Sequence, residues 1–118
     1  MTDINNMDKQ PNEYSYKFAN AEVLWFWFVA SKRIKTGFIA RQAAGGNRPC
    51  EVIDIEVLIT RLHLSGKISS EGVRVITRYG FLRRAPNRNH RFEERDADNW
   101  CAAMDAINAA AKSKGWLE

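Results

Sequence analysis

Eight consecutive residues, Val23-Leu24-Trp25-Phe26-Trp27-Phe28-Val29-Ala30, are all apolar, so no side of this segment gains by facing water. Periodicity does not separate a buried helix from a buried strand here, and the aromatic side chains alone lean toward a strand. The flanks favour a helix. Asn20 stands where a cap accepts from the first turn, and Glu22 lies within that turn. Ser31-Lys32-Arg33-Ile34-Lys35 puts cations at the far end, where the helix dipole prefers them. A helix is expected over about residues 20–36. A membrane span needs about 20 apolar residues, far more than this run holds, so no membrane is expected as a partner. A helix that is apolar all round must also be covered all round. The domain wraps it, or one face, with Trp25 or Trp27, meets a second copy and makes a homodimer.

The 118 residues fit one domain, long enough to bury a core without disulfides or structural metal. Residues 1–15 hold few apolar groups and contain Pro11, which suggests a flexible leader ahead of a single helical domain at 16–118. Gly37 suits the end of the first helix, and Gly45-Gly46-Asn47 marks a loop. Pro49 fits a first helical position, followed by the stripe Val52, Ile55, Leu58, Ile59 and Leu62, so a helix is expected at 50–65, stopped by Gly66. Ser69 caps a shorter helix at 69–79, with Val73 and Ile76 inward, closed by Tyr79 and ended by Gly80. Asp96 caps a last helix at 96–114, where Trp100, Met104, Ile107 and Ala111 recur at three and four; Gly115 ends it and frees Trp116-Leu117 to fold back. The expected class is mostly α, a compact four-helix domain. Its core draws on Leu24, Trp25, Phe28, Ile55, Leu58, Ile59, Leu62, Val73, Ile76, Trp100, Met104 and Ile107.

No motif points to catalysis. There is no phosphate-binding glycine loop, dinucleotide fingerprint, zinc-protease helix or nucleophile elbow, and His63 and His90 have no nucleophile beside them. Cys50, His63, His90 and Cys101 match no zinc pattern, since zinc sites draw ligands in close pairs and no two of these lie closer than eleven residues. The expectation is a non-enzyme with no catalytic residue, no metal and no cofactor. The polar, acidic start differs from a secretory signal, so a reducing cytoplasm is the expected compartment, with both cysteines as thiols.

Charge is zoned along the chain. The net of +4 arises from −2 over residues 1–31, +5 over 32–48, −3 over 49–60, +7 over 61–92 and −3 over 93–118. Within the most basic zone, the stretch from Arg74 to Arg91 holds six arginines, Arg74, Arg78, Arg83, Arg84, Arg88 and Arg91, and no acid, with Tyr79, Phe81 and Phe92 interleaved. Arginine suits paired hydrogen bonds to phosphate and to guanine edges. Arg74 and Arg78, four apart, share one helix face. Residues 81–92, FLRRAPNRNHRF, set turn formers between basic arms and suggest a short basic hairpin or an irregular loop. A capped helix, a tight turn, a second helix and such a hairpin would form a helix-turn-helix-like pair with a wing. Ser70, Arg74 and Arg78 would then face a major groove. Nucleic acid, DNA first, is the expected partner, and a DNA-binding regulator the expected role. The alternatives are a protein-interaction module, or a cationic face docked on the chain's own acidic strip, Glu93-Glu94-Arg95-Asp96-Ala97-Asp98.

Arg48-Pro49-Cys50-Glu51, Tyr79-Gly80, Trp100 with Met104, and Lys114-Gly115-Trp116 resemble a family of small bacterial proteins, over residues 48–117. That family has no assigned activity. The resemblance implies a bacterial, cytoplasmic, helical domain and supplies no site residue.

Overall fold

The computed structural model describes residues 16–35 and 48–118. Among them are four helices and no strand: α1 (Ala21–Lys35), α2 (Val52–Leu64), α3 (Ser70–Leu82) and α4 (Glu94–Ser113). The apolar run at 23–30 is thus helical. The expected leader, the stop at Gly37 and the Gly45-Gly46-Asn47 loop lie outside the described residues.

Local chemistry accounts for each boundary. Asn20 Oδ1 accepts from the Val23 amide at 2.9 Å and opens α1. The α2 helix starts two residues later than expected, with Glu51 as its N-cap and Pro49 outside it. The Glu51 amide donates to Asp54 Oδ2 at 2.8 Å. Gly66, at φ +82°, turns the chain out of α2 in a left-handed conformation that a side chain would resist. The Lys67 and Ile68 amides then donate back to the Leu62 carbonyl at 2.8 and 3.1 Å. Ser69 Oγ accepts from the Gly72 amide at 2.9 Å and caps α3.

Two further boundaries shift. The third helix runs through Tyr79-Gly80 to Leu82, and the left-handed residue that ends it is Arg83, at φ +62°. Gly80 is buried inside the helix instead. The last helix begins at Glu94 with Glu93 as N-cap, which places Asp96 in its first turn rather than at its cap.

Residues 83–93 form turns, not the hairpin expected as a wing. The Asn87 amide donates to Glu93 Oε1, the Asn89 amide to Asn87 Oδ1, and the Glu93 amide to the His90 carbonyl, all within 2.8–2.9 Å. Groups that a strand ladder would use are taken up locally.

Helix α1 lies against α2, α3 and α4, so the domain itself covers most of the apolar run and leaves Val23 exposed. Leu24, Trp25, Phe28 and Val29 are buried, while Phe26 and Trp27 are partly covered. Trp27 packs on Phe18 with ring centroids 5.3 Å apart, and Phe26 on Trp100 at 5.6 Å. The α2 and α3 helices have the connectivity of a helix-turn-helix, yet each packs mainly on α1 and α4 rather than on the other. At the far end Gly115, at φ +79°, turns Trp116-Leu117 back onto the bundle. There the Phe18 amide donates to the Trp116 carbonyl at 3.0 Å, and the Glu118 amide to the Phe18 carbonyl at 2.9 Å.

Of the expected core, Ile59 and Val73 are only partly buried and the rest are buried. Phe18, Val29, Ile68, Val75, Tyr79 and several alanines join them.

Candidate nucleic-acid interface

The six arginines do not act as one surface. Arg74, Arg84 and Arg88 turn toward the start of α4 and bind its carboxylates. Arg84 grips Glu93 with both terminal nitrogens, at 2.9 and 2.7 Å. Arg88 Nη1 donates to Asp98 at 2.6 Å, and its Nη2 lies 3.7 Å from Cys101 Sγ. Arg74 pairs with Glu71 one turn earlier and reaches Asp96 at 3.4 Å. The Tyr79 hydroxyl also donates to Asp96, at 2.8 Å. These bonds tie the end of α3 and the following loop onto the head of α4, where negative charge also suits the helix dipole.

The anchors differ in depth. Glu93 and Asp96 each keep only 17% of their side chain exposed, whereas Asp98 keeps 67%. A bidentate pair to a mostly covered carboxylate holds its geometry; an ion pair in open water contributes little. The Arg84–Glu93 pair is the firm one. Arg84 and the Asn87 amide hold the Glu93 carboxyl down at about 2, from an ordinary 4.5. Burial, then the neighbouring Asp96, pushes the Tyr79 hydroxyl up.

A depressed carboxyl binds its proton less readily in the folded chain, so Glu93 supports folding above about pH 4.5 and loses that support as pH falls toward 2. Thermal melts across this window should show the native chain losing more stability than Glu93→Gln. Parallel curves for the two would disprove the clamp.

The other three arginines have no carboxylate partner among the described residues. Arg78 lies on the outer side of α3 with its guanidinium 5.9 Å from the Tyr79 ring. Arg83 occupies the left-handed end of that helix. Arg91 stands 5.1 Å from the ring of Phe92, which is 77% exposed. Sequence reasoning missed Arg33 beside them. Its guanidinium lies 5.4 Å from the half-exposed Phe81 ring and donates to the Phe81 carbonyl at 3.4 Å. Only the apolar run preceding it, which had to pack on another helix, hinted at that meeting.

The remaining candidate ligands are dispersed. His63 Nδ1 lies 2.9 Å from the Ile68 carbonyl and braces the turn between α2 and α3. Burial, with Asp54 nearby, pushes the Cys50 thiol up to about 12, so Cys50 is a poor nucleophile at neutral pH. Among the described residues no three His, Cys, Asp or Glu side chains gather as metal ligands, and no helix is long and apolar enough to cross a membrane.

Fold and site together define a four-helix domain with an arginine–carboxylate clamp at the head of α4 and with Arg91, which has no carboxylate partner among the described residues, beside the exposed Phe92. The chain matches no protein-family model, no curated protein and no solved structure.

Proposed function

We propose that the protein is a non-enzymatic nucleic-acid-binding domain that holds phosphates and stacks on base faces. The observation that carries this reading is the set Arg78, Arg83 and Arg91, cations without a carboxylate partner among the described residues, with Arg91 beside exposed Phe92 and with half-exposed Phe81 on the same helix as Arg78. Guanidinium groups contact phosphate, and exposed rings accept unstacked bases whatever their sequence. Base-edge reading by α3 is disfavoured, because Arg74 is held between Glu71 and Asp96. The preferred ligand is therefore single-stranded, RNA or DNA.

Labelled single-stranded RNA, single-stranded DNA and duplex DNA, titrated at two salt concentrations, test this. Single strands should bind more tightly than duplex, and affinity should fall steeply with salt as counterions are released. An Arg78→Ala/Arg83→Ala/Arg91→Ala variant should lose binding, with the salt slope shallower by about 2–3. Arg74→Ala should bind as the native chain does. Absence of binding at low salt disproves the reading.

A second reading, a protein-interaction module, is favoured by a different face. Ile53, Val57 and Leu64 recur along the outer side of α2 and are 57%, 42% and 79% exposed. Sedimentation at high concentration tests for self-association; a monomer unaffected by Leu64→Glu excludes a homodimer through this face.

A further inference from the structure

Ile53, Val57, Thr60 and Leu64 follow one another along α2 at four, three and four residues, so they form a single stripe, and all four are exposed. The Thr60 hydroxyl donates to the Glu56 carbonyl at 2.9 Å, which satisfies its polar atom within the helix and leaves the methyl group for contact. Charge divides the same helix in two. Glu51, Asp54 and Glu56 stand at its start and in its first half, and Arg61 and His63 in its last turn. Asp54 and Arg61 share one flank of the stripe, where both line a hollow of about 220 Å³ with Lys114 and Trp116. Two turns separate them, about 10 Å along the axis, and they form no pair within the chain. Asp54 Oδ2 accepts from the Glu51 amide, while the Arg61 guanidinium has no partner among the described residues. On the opposite flank Glu56 is already neutralised by Lys32, 2.9 Å away.

We propose that α2 pairs antiparallel with the α2 of a second copy of this chain, about a twofold axis between Leu58 and Ile59. The inference deepens the second reading above by naming its partner, and it does not depend on nucleic-acid binding. In this register Ile53 meets the second copy's Leu64 at each end. Val57 meets the second copy's Thr60 at the centre, where smaller side chains let the two helices approach. Antiparallel helices bring like flanks together, so Asp54 lies beside the second copy's Arg61, about 3 Å away along the axis. The twofold axis makes that pair occur twice. Parallel pairing would instead set the two acidic starts side by side, and like charges across an interface oppose it. A second copy supplies both the apolar stripe and the reversed charge order by construction. A contact limited to one face of a 13-residue helix stays below about 1,200 Å², so the dimer is weak and depends on concentration.

Sedimentation of the full chain over a concentration series reads the association. Isotope-filtered NMR on a mixture of labelled and unlabelled chains reads its direction. The native chain should dimerise reversibly and show contacts between Ile53 of one copy and Leu64 of the other. Arg61→Glu sets a like charge against the second copy's Asp54 and should weaken the dimer about tenfold in a folded chain. Asp54→Lys should weaken it likewise. An equimolar mixture of the two variants should associate about as tightly as the native chain, because each supplies the charge the other lacks. Asp54 also helps to cap α2, so the NMR contacts of the native chain carry the test if that variant unfolds. A chain that stays monomeric at about 1 mM overturns the proposal. So do contacts of Ile53 with Ile53 of the other copy, or an Arg61→Glu chain that dimerises as the native one does. Self-association through another surface leaves an interaction module standing and overturns this pairing.

Discussion

Trp100→Ala is expected to lose about 3–5 kcal/mol of folding free energy, the usual range for deleting a large buried aromatic side chain. Trp100 is only 2% exposed and sits where three helices meet. Its ring packs against Phe26 of α1 at 5.6 Å and Tyr79 of α3 at 6.3 Å, while its own backbone belongs to α4. Truncation leaves a void that none of the three helices can fill alone, so the lost transfer energy and the cavity term add. The indole N–H also donates to Glu22 Oε2 at 2.8 Å. Loss of that bond matters less, because Glu22 is partly exposed and water can replace the indole. Against a total of about 5–15 kcal/mol for a domain, the variant gives up about a fifth of its stability at the least. Urea denaturation should show a lower midpoint with an unchanged slope. Trp100→Phe keeps most of the ring contact and should lose about 1–2 kcal/mol. A loss below about 1 kcal/mol for the alanine variant would mean that the three helices do not depend on this ring.

The four helices were legible because their punctuation is chemical and local. Ser69 before Gly72, and glycines at 66 and 115 that adopt positive φ, are read directly from residue type. Boundaries went astray where one residue type serves two purposes. Gly80 reads as a helix stop, since glycine favours a left-handed end; the structure uses it inside the helix for close approach and gives the left-handed position to Arg83. Buried alanines such as Ala21, Ala97 and Ala103 were not legible either, because the facing helix, not the alanine, decides their burial. Phe18 escaped for the same reason. Its place is set by Trp116 and Leu117, nearly the whole chain away.

The arginine surface shows the same limit. Sequence reports charge density along the chain, and by that measure residues 74–91 are uniformly basic. In three dimensions Arg74, Arg84 and Arg88 meet Asp96, Glu93 and Asp98, which follow directly in the chain. The acidic strip was visible and its docking role was one of the readings. Which arginines it would take depended on α3 running two residues past Gly80, and no residue type announces that. The extension sets Arg83 and Arg84 at the end of the helix, where one faces outward and the other reaches Glu93.

Gly80→Ala provides the sharpest test of that extended helix, because two effects of opposite sign compete. Inside a helix alanine is favoured over glycine by about 1 kcal/mol, so propensity alone makes the variant more stable. Packing argues otherwise. A Cβ on Gly80 would lie 2.8 Å from Val29 Cγ2 and 2.9 Å from Trp25 Nε1, inside the distances that real methyl groups adopt. Neither neighbour yields easily. Val29 is buried and β-branched, with one strongly preferred rotamer in a helix, and the Trp25 indole is fixed by its bond to the Ile76 carbonyl. Both belong to α1, so the strain is relieved chiefly by lifting α3 away from it. Overpacking of this kind costs about 1–3 kcal/mol, enough to outweigh the propensity gain and leave a net loss of about 1–2 kcal/mol. Thermal melts of the single variant and of a Gly80→Ala/Val29→Ala pair separate the two effects. The loss should shrink when Val29 is truncated, since the coupling between the two sites carries the strain. A Gly80→Ala chain that melted above the native one would mean that α1 and α3 do not touch closely at this point.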